Sequence, residues 1–131
     1  MYKIKFDGYA SVFNVKDHLN DVILPLSFSK NNIENVKLLY EHDVNREIGF
    51  IMDMYQDEVG LYIEGIVDTN DKNVINMILD DTLNGLSIGY MVKNHYYKEN
   101  TRIITDIELL EISLVARPAN KYSCIKYKKI Y

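Results

Sequence analysis

The sequence predicts an α+β domain that is mainly β, an antiparallel barrel or curved sheet of about six or seven strands with helices packed outside it. Runs rich in β-branched and aromatic residues are the most frequent pattern, and only two segments have helical spacing. Strands and helices come in mixed order, which argues against a parallel βαβ fold. The 131 residues are 47% hydrophobic and 26% charged, so we expect one globular domain over residues 1–131.

The first third of the chain predicts two strands joined by a loop and a short helix. Their bounds are residues 2–13 for the first strand, 14–25 for the loop, 26–35 for the helix and 36–42 for the second strand. Gly8 indicates a bend in the first strand, and Pro25 ends the polar loop. Ser27 or Ser29 is expected to cap the helix, and a turn through residues 42–45 follows the second strand.

The remainder predicts four more strands and a second helix. The strands are residues 48–55, 60–67, 86–97 and 102–116. The helix is expected between the second and third of these, starting at residues 68–71, because apolar residues then recur with helical spacing. Pro118 ends the last strand, since proline cannot donate to a sheet ladder. The basic tail, residues 121–131, is expected to be a solvated end.

Composition limits the classes of function. No run approaches the roughly 18 consecutive apolar residues of a membrane-spanning helix, and the charged, alternating residues 1–7 are not a signal peptide. The single cysteine, Cys124, indicates a reducing compartment. The net charge of -4 argues against general nucleic-acid binding. We therefore expect neither a membrane nor a nucleic acid as a partner.

A serine between two glycines is the most informative feature of the sequence. In Gly85-Leu86-Ser87-Ile88-Gly89-Tyr90, small neighbours would let a substrate carbonyl approach the backbone beside Ser87, so Gly89 is a candidate substrate-binding residue. The α/β-hydrolase nucleophile elbow shares the Gly-x-Ser-x-Gly pattern but needs a sharp turn into a helix and a later histidine. A strand-like run follows Ser87 and contains the only later histidine, His95, so the elbow is rejected.

Glu111 lies in the apolar run Leu109-Leu110-Glu111-Ile112-Ser113-Leu114-Val115. An unpaired carboxylate in such a strand would cost several kcal/mol or be protonated, so Glu111 needs a partner. A structural salt bridge to an arginine and a catalytic pairing with His42 are both open.

His42 closes the run Val36-Lys37-Leu38-Leu39-Tyr40-Glu41-His42. One interpretation is a strand-end histidine that bonds a backbone group. The other is a general base, held in one tautomer by a carboxylate and acting on a serine hydroxyl. Ser87, His42 and Glu111 are the parts needed for nucleophilic acyl transfer. The histidines and Cys124 lack zinc-like spacing, so neither a metal nor another cofactor is expected.

Four segments, taken together and in this order, carry a family resemblance. They are Gly8-Tyr9-Ala10-Ser11-Val12-Phe13-Asn14, Leu38-Leu39-Tyr40-Glu41-His42-Asp43 with Ile48-Gly49, Leu83-Asn84-Gly85-Leu86-Ser87-Ile88-Gly89-Tyr90, and Leu109-Leu110-Glu111-Ile112-Ser113-Leu114-Val115 with Pro118-Ala119-Asn120. The chain resembles the prohead (capsid maturation) proteases of tailed bacteriophages, which are similar to herpesvirus assemblins. The resemblance implies a serine protease on a helix-wrapped β-barrel, with Ser87 as nucleophile, His42 as base and Glu111 as third member. Assemblins have a second histidine as third member.

The resemblance also suggests where an oxyanion binds. Assemblins use an arginine-containing loop shortly after the third member, and Arg117 lies six residues after Glu111, so its amide or side chain is the candidate. The alternative for Arg117 is a structural ion pair with Glu108 or Asp106. Residues 25–28 depart from the Pro-Gly-Ala-Phe-like turn of the family, which weakens only the assignment of that loop.

By resemblance, the protein is a serine endopeptidase that forms an acyl-enzyme. Its expected substrates are the scaffolding region of the major capsid protein, or a scaffold polypeptide, and the protease itself. It would act in the host cytoplasm inside the immature prohead. An exposed helix would support a homodimer, with residues 73–83 as the candidate; the alternative is that the apolar side of this helix covers the barrel. One alternative is a non-catalytic β-barrel module for capsid assembly, in which Ser87, His42 and Glu111 would lie apart. Another is a small-molecule esterase with the same three residues.

Overall fold

The computed structural model describes residues 2–131. Within these residues it contains eight strands and one α-helix, namely β1 Tyr2–Val12, β2 Asp21–Ile23, β3 Lys37–Tyr40, β4 Asp43–Gln56, β5 Gly60–Thr69, α1 Lys72–Leu79, β6 Gly85–Lys98, β7 Thr101–Val115 and β8 Ile125–Ile130. No helix in this part of the chain is long and apolar enough to cross a membrane. The mainly β character that the sequence predicts is confirmed.

The strands form one mixed sheet in the order β2-β7-β3-β4-β5-β1-β8, with β6 paired to β7. Most neighbours are antiparallel, but β2 and β3 run parallel to β7. The predicted antiparallel sheet of fewer strands is therefore wrong, and the ladders formed by residues 2–131 do not close into a barrel. Strand direction depends on long-range pairing, which the periodicity of one segment does not encode.

The start of β6 contacts the segment that precedes β8. Gly85 forms an isolated bridge with Cys124, and Leu86 N donates to Ser123 O at 2.9 Å. β8 then continues along β1 in an antiparallel ladder. These contacts place the segment before β8 beside the residue that precedes Ser87.

All eight strands and α1 contribute side chains to one hydrophobic cluster. In β5, buried and half-buried positions alternate, as expected for a strand with one face in the core. Several of the largest fully buried side chains lie in the strands around β7, and they include Leu38, Leu86, Ile104, Ile107 and Ile112. Burying each such side chain stabilises the fold by about 1.5–3 kcal/mol. The core therefore holds β3, β6 and β7 rigidly together.

The second predicted helix is confirmed as α1. Asp71 is its N-cap, because its carboxylate accepts hydrogen bonds from Asn73 N at 3.0 Å and Val74 N at 3.4 Å. Val74, Ile75 and Ile78 are buried in the core. The apolar face of α1 therefore covers the molecule's own sheet.

The α-helix predicted for residues 26–35 is wrong. Only a 3-10 turn, Ile33–Asn35, forms there, and Asn32 caps it. The hydroxyls of Ser27 and Ser29 donate to backbone carbonyls three residues earlier. Such local bonds offer the backbone an alternative to a helix, which is why these residues form turns.

Two strands are missing from the prediction. β8 lies in the tail that was expected to be solvated, and of its six residues only the first, Ile125, is buried. β2 lies within the predicted loop and is three residues long. Its Asp21 is buried because Arg102 of β7 forms two hydrogen bonds with its carboxylate, each 2.8 Å long.

Candidate active site

The structure places His42 in a two-residue turn with Glu41 between β3 and β4, so the predicted strand ends earlier, at Tyr40, and the turn predicted for residues 42–45 lies at residues 41–42. Tyr40 pairs with Asp43 across the hairpin. Glu41 and His42 have φ values of 48° and 60°, the left-handed conformation found in type I′ turns, where Gly and Asn are preferred. Two non-glycine residues in this conformation cost on the order of 1–3 kcal/mol each, so surrounding contacts must hold the turn.

Three hydrogen bonds hold the turn against β7 and the residue that follows it. Glu41 N donates to Leu114 O at 3.0 Å, and His42 N donates to Ser113 Oγ at 3.0 Å. The Glu41 carboxylate accepts from Ala116 N at 2.8 Å. The imidazole of His42 is thereby fixed relative to β7.

The pairing of β6 with β7 places Ser87 and Glu111 on one face of this hairpin. Ser87 lies opposite Ser113, and Gly89 lies opposite Glu111. Residues two apart on a strand share a face, so all four positions project to the same side of the sheet. The sequence predicts that Glu111 and Ser113 share a face, and the strand register adds Ser87 to it.

Gly85 and Gly89 provide room for the protein's own atoms. A Cβ at residue 89 would lie 2.6 Å from Glu111 Oε1, and a Cβ at residue 85 would lie 2.6 Å from Pro118 Cδ. Both distances are well below van der Waals contact, so a side chain at residue 89 would displace the carboxylate. The structure thus relates Gly89 to Glu111, whereas the sequence suggested space for a substrate.

Ser87, His42 and Glu111 form a continuous chain of hydrogen bonds. His42 Nε2 lies 3.0 Å from Ser87 Oγ, and His42 Nδ1 lies 2.6 Å from Glu111 Oε1. With the Nδ1 proton donated to the carboxylate, Nε2 accepts from the serine hydroxyl. This arrangement can activate a serine oxygen as a nucleophile.

Ser113 completes the environment of the carboxylate. Its hydroxyl donates to Glu111 Oε2 at 2.7 Å, and the same oxygen accepts from His42 N. Ser113 is fully buried. Both oxygens of Glu111 are therefore hydrogen-bonded, which satisfies a carboxylate that is only 8% exposed.

The partners of Glu111 exclude one of the two interpretations that the sequence left open. Within residues 2–131 no arginine pairs with Glu111; Arg46 pairs with Asp71 and Arg102 with Asp21. The interpretation of Glu111 as half of a structural arginine bridge is therefore wrong. The hydrogen bond that His42 Nδ1 donates to Glu111 is the main cause that raises the pKa of His42 above its ordinary value of 6.5, while partial burial of the imidazole opposes it.

Arg117 is exposed and lies beside His42 in a shallow depression that also contains Glu41 and Ala116. It forms no ion pair within residues 2–131. The two carboxylates that were the alternative partners pair with lysines instead, Glu108 with Lys93 and Asp106 with Lys30. The predicted structural ion pair of Arg117 is therefore wrong.

A cleft of about 210 Å³ opens at Ser87 and His42. One side consists of the end of β1 and the following loop, and the other consists of the segment between β7 and β8. His18 N donates to Ala119 O at 3.4 Å, which connects the two sides. The side chains of Ser87 and His42 are thus accessible from a concave surface large enough for part of a peptide.

The sequence did not assign a role to Ser113 or Glu41. A buried serine two residues after Glu111 was the available indication for Ser113, whereas an exposed glutamate next to a histidine gave none for Glu41. Within residues 2–131 no group of three or more His, Cys, Asp and Glu side chains could hold a metal ion. His95 lies in the exposed end of β6, beside Tyr97.

Comparison with known proteins gives consistent results over nearly the whole chain. A family model described as caudovirus prohead serine protease matches residues 2–130. The chain is 32% identical to the prohead protease of Escherichia phage T5, over 96% of this chain and 63% of that protein. It is 31% identical to the prohead protease of Enterobacteria phage HK97, over 95% of this chain and 60% of that protein. The chain thus spans about three-fifths of the length of these relatives.

Solved structures show the same fold at low sequence identity. The Kaposi's sarcoma-associated herpesvirus protease, in complex with a hexapeptide phosphonate inhibitor, has a TM-score of 0.68 at 14% identity, covering 98% of this chain and 65% of that one. The capsid assembly protease of bacteriophage T4 has a TM-score of 0.68 at 13% identity, covering 87% of this chain and 82% of that one. The chain therefore has an assemblin-like fold and belongs to the caudovirus prohead serine protease family.

Proposed function

We propose that the chain is the protease domain of a serine endopeptidase that acts in phage prohead maturation. The hydrogen-bonded sequence Ser87–His42–Glu111, at the opening of a cleft, carries this proposal. Family membership supports it, because the matched relatives are named prohead proteases.

The geometry supports a two-step acyl transfer. His42 Nε2 takes the proton of Ser87 Oγ as the oxygen attacks the scissile carbonyl, and the imidazolium then gives that proton to the leaving amine. This leaves an acyl-enzyme, which a water molecule hydrolyses after His42 removes its proton. Glu111 holds the imidazole in the required tautomer and stabilises the imidazolium.

The Arg117 amide is the proposed oxyanion donor. Ala116 N is already bonded to Glu41, and Pro118 has no amide proton. Within residues 2–131 no hydrogen bond occupies Arg117 N, which lies in the segment beside His42. One such donor contributes about 3–4 kcal/mol of transition-state stabilisation in other serine proteases.

The proposed substrates are a scaffold polypeptide or the scaffolding region of the major capsid protein, with self-cleavage as a further reaction. The proposed place of action is the prohead in the host cell. A homodimer would need a surface other than the apolar face of α1, because Val74, Ile75 and Ile78 are buried within this chain. The non-catalytic alternative expects the three site residues to lie apart, whereas here they are hydrogen-bonded.

Cleavage of the cognate capsid precursor, co-expressed with the protease, tests the proposal. Ser87→Ala should lower turnover by roughly three to six orders of magnitude. Ser29→Ala, the same change at an exposed turn, should cleave like the native chain. A fluorophosphonate should label the native chain and not Ser87→Ala. Precursor cleavage by a clean Ser87→Ala preparation would contradict the assignment of the nucleophile.

A further inference from the structure

The cleft at Ser87 carries negative charge that is not balanced within it. Asp17 and Asp21 line the cleft, and no lysine or arginine does. The Asp21 carboxylate is neutralised by its two hydrogen bonds with Arg102. Asp17 forms no ion pair within residues 2–131, so its charge is available to a ligand.

The position of the Asp17 carboxylate is fixed by the backbone of its loop. Asp17 Oδ1 accepts from Leu19 N at 2.8 Å and from Asp21 N at 3.0 Å. These bonds engage one carboxylate oxygen and leave Oδ2 for another partner. The charge is therefore held at a defined point of the cleft rather than on a freely rotating side chain.

Tyr90 lies in the same region of the cleft. Its ring lines the cleft, and burial, followed by the nearby charges of Asp21 and Asp17, raises its pKa to about 12. The phenol therefore stays neutral at physiological pH and adds no charge. The same negative charges would attract a cation that enters the cleft.

The remaining surface of the cleft suits an aliphatic chain. Val12, Val15, Ile23 and Leu86 are among the residues that line it. Lysine and arginine have apolar stems that pack on such surfaces and a charged end that reaches a carboxylate.

A buried hydroxyl without a hydrogen-bond partner among the described residues also lies at this cleft. Ser123 lines the cleft, is 1% exposed, and its Oγ has no hydrogen-bond partner within residues 2–131. Its backbone is fixed beside Leu86 by the bond between Leu86 N and Ser123 O. Buried polar atoms are rarely left unpaired, so a bound peptide group is a natural partner for this hydroxyl.

We propose that this cleft selects a substrate with a lysine or arginine close to the scissile bond, and that Asp17 is the residue that selects it. The inference rests on the proposed protease function. The stem of the basic side chain packs on the apolar surface, and its cationic end lies at Asp17 Oδ2.

Peptides that differ at one position test the inference. Each position flanking the scissile bond is occupied in turn by lysine, by norleucine, which lacks the charge, or by glutamate. At one position the native chain should prefer lysine over norleucine by about tenfold or more in kcat/KM, with glutamate worst. The preference should fall as salt is raised, because an exposed charge pair is screened.

Asp17→Asn provides a matched variant, since an asparagine Oδ1 can still accept both backbone hydrogen bonds. It should bring the kcat/KM values of the lysine and norleucine peptides together. Asp53→Asn makes the same charge change at an exposed position outside the cleft and should leave their ratio unchanged.

Equal cleavage of lysine and norleucine peptides at every position would overturn the inference and leave the protease function standing. If Asp17→Asn kept the native ratio of kcat/KM between lysine and norleucine peptides, the role of Asp17 would be overturned and the protease function would stand. No cleavage of any peptide, together with no Ser87-dependent fluorophosphonate labelling, would instead overturn the protease function and the inference with it.

Discussion

Gly89 lies directly opposite Glu111 in the β6–β7 pair, and a Cβ at residue 89 would come within 2.6 Å of Glu111 Oε1. The same oxygen is the one that bonds His42 Nδ1. The second glycine of the Gly-x-Ser-x-Gly segment is thus linked to the histidine through the carboxylate. A motif that looks like a property of the serine is, in this fold, also a condition for placing the acid.

Gly89→Ala should therefore lower kcat although it removes none of the three site residues. The added methyl displaces Glu111, so we expect a loss of about ten- to a thousandfold, comparable to other misplacements of catalytic groups. Steady-state kinetics with a capsid peptide measures the loss of kcat, and thermal unfolding shows whether the variant is folded.

Gly65→Ala is the control for that measurement. Its Cβ would meet the Phe6 ring at 2.5 Å, away from the site, so it should lower the melting temperature and keep the activity of each folded molecule. Full kcat in a folded Gly89→Ala protein would contradict the proposed link between Gly89 and Glu111.

The sequence singled out three residues that the structure brings together, but it did not predict the order and direction of the strands that hold them. Glu111 stood out because a carboxylate in a buried strand needs a partner, and Ser87 because it lies between two glycines, and both arguments are local. The parallel pairing of β3 with β7 depends on contacts between distant segments. Nothing in the periodicity of residues 36–42 indicates which strand lies beside them.

The local conformation of His42 could not be predicted either. Its run of apolar residues favours a strand, but the hairpin requires positive φ at Glu41 and His42, neither of which prefers it. The compensating bonds come from Ser113, Leu114 and Ala116, more than seventy residues later in the chain. Long-range hydrogen bonds thus override the local preference.

Ser113→Ala should impair both stability and turnover. It leaves Glu111 Oε2 and His42 N without partners, and each unpaired buried group costs about 1–3 kcal/mol. We expect kcat to fall about ten- to a hundredfold, with little change in KM, since Ser113 acts through Glu111 and His42. The kcat of Ser113→Cys, which keeps a weak hydrogen-bond donor, should lie between that of the native chain and that of Ser113→Ala.

A double mutant separates this positioning role from general destabilisation. If Ser113 acts through the carboxylate, Ser113→Ala should cost much less in a Glu111→Gln background than in the native chain. Strictly additive losses in kcat would show that Ser113 acts independently of Glu111.

Glu41 should prove to position the segment that carries the proposed oxyanion donor. Its carboxylate bonds Ala116 N, next to Arg117, while its own backbone forms the His42 turn. Glu41→Ala removes this connection and should lower kcat about tenfold, a typical effect of losing one positioning hydrogen bond to a charged group.

Glu41→Gln is the matched comparison, because its amide oxygen can still accept from Ala116 N. It should retain most of the activity that Glu41→Ala loses. Glu41→Gln should keep the native melting temperature, whereas Glu41→Ala removes one of the three bonds that hold the strained turn and should lower it. Equal losses in the two variants would mean that the charge of Glu41, rather than its hydrogen bond, is what matters.

The pH dependence of activity follows from the raised pKa of His42. Its hydrogen bond with Glu111 favours the imidazolium, and the base must be neutral to accept the Ser87 proton. kcat/KM should therefore rise with pH through an apparent pKa above 6.5, the ordinary value for histidine. Glu111→Gln removes the main cause of the shift, so its remaining activity should rise through a lower apparent pKa. Glu41→Gln should also lower the apparent pKa, but by less, because the charge of Glu41 is a weaker cause of the raised pKa of His42 than the bond with Glu111.

The same pair sets the opposite trend for stability. Because the folded-state pKa of His42 lies above its unfolded value, the stabilisation from protonated His42 with Glu111 is fully present below the unfolded pKa. It is lost as pH rises through the folded pKa. The free energy of unfolding can be measured with urea at a series of pH values, for the native chain and for Glu111→Gln. The difference between the two should shrink as pH rises through the pKa of His42, the same range in which kcat/KM rises. A difference that grows across that range would contradict the assignment of the shift to the His42–Glu111 bond.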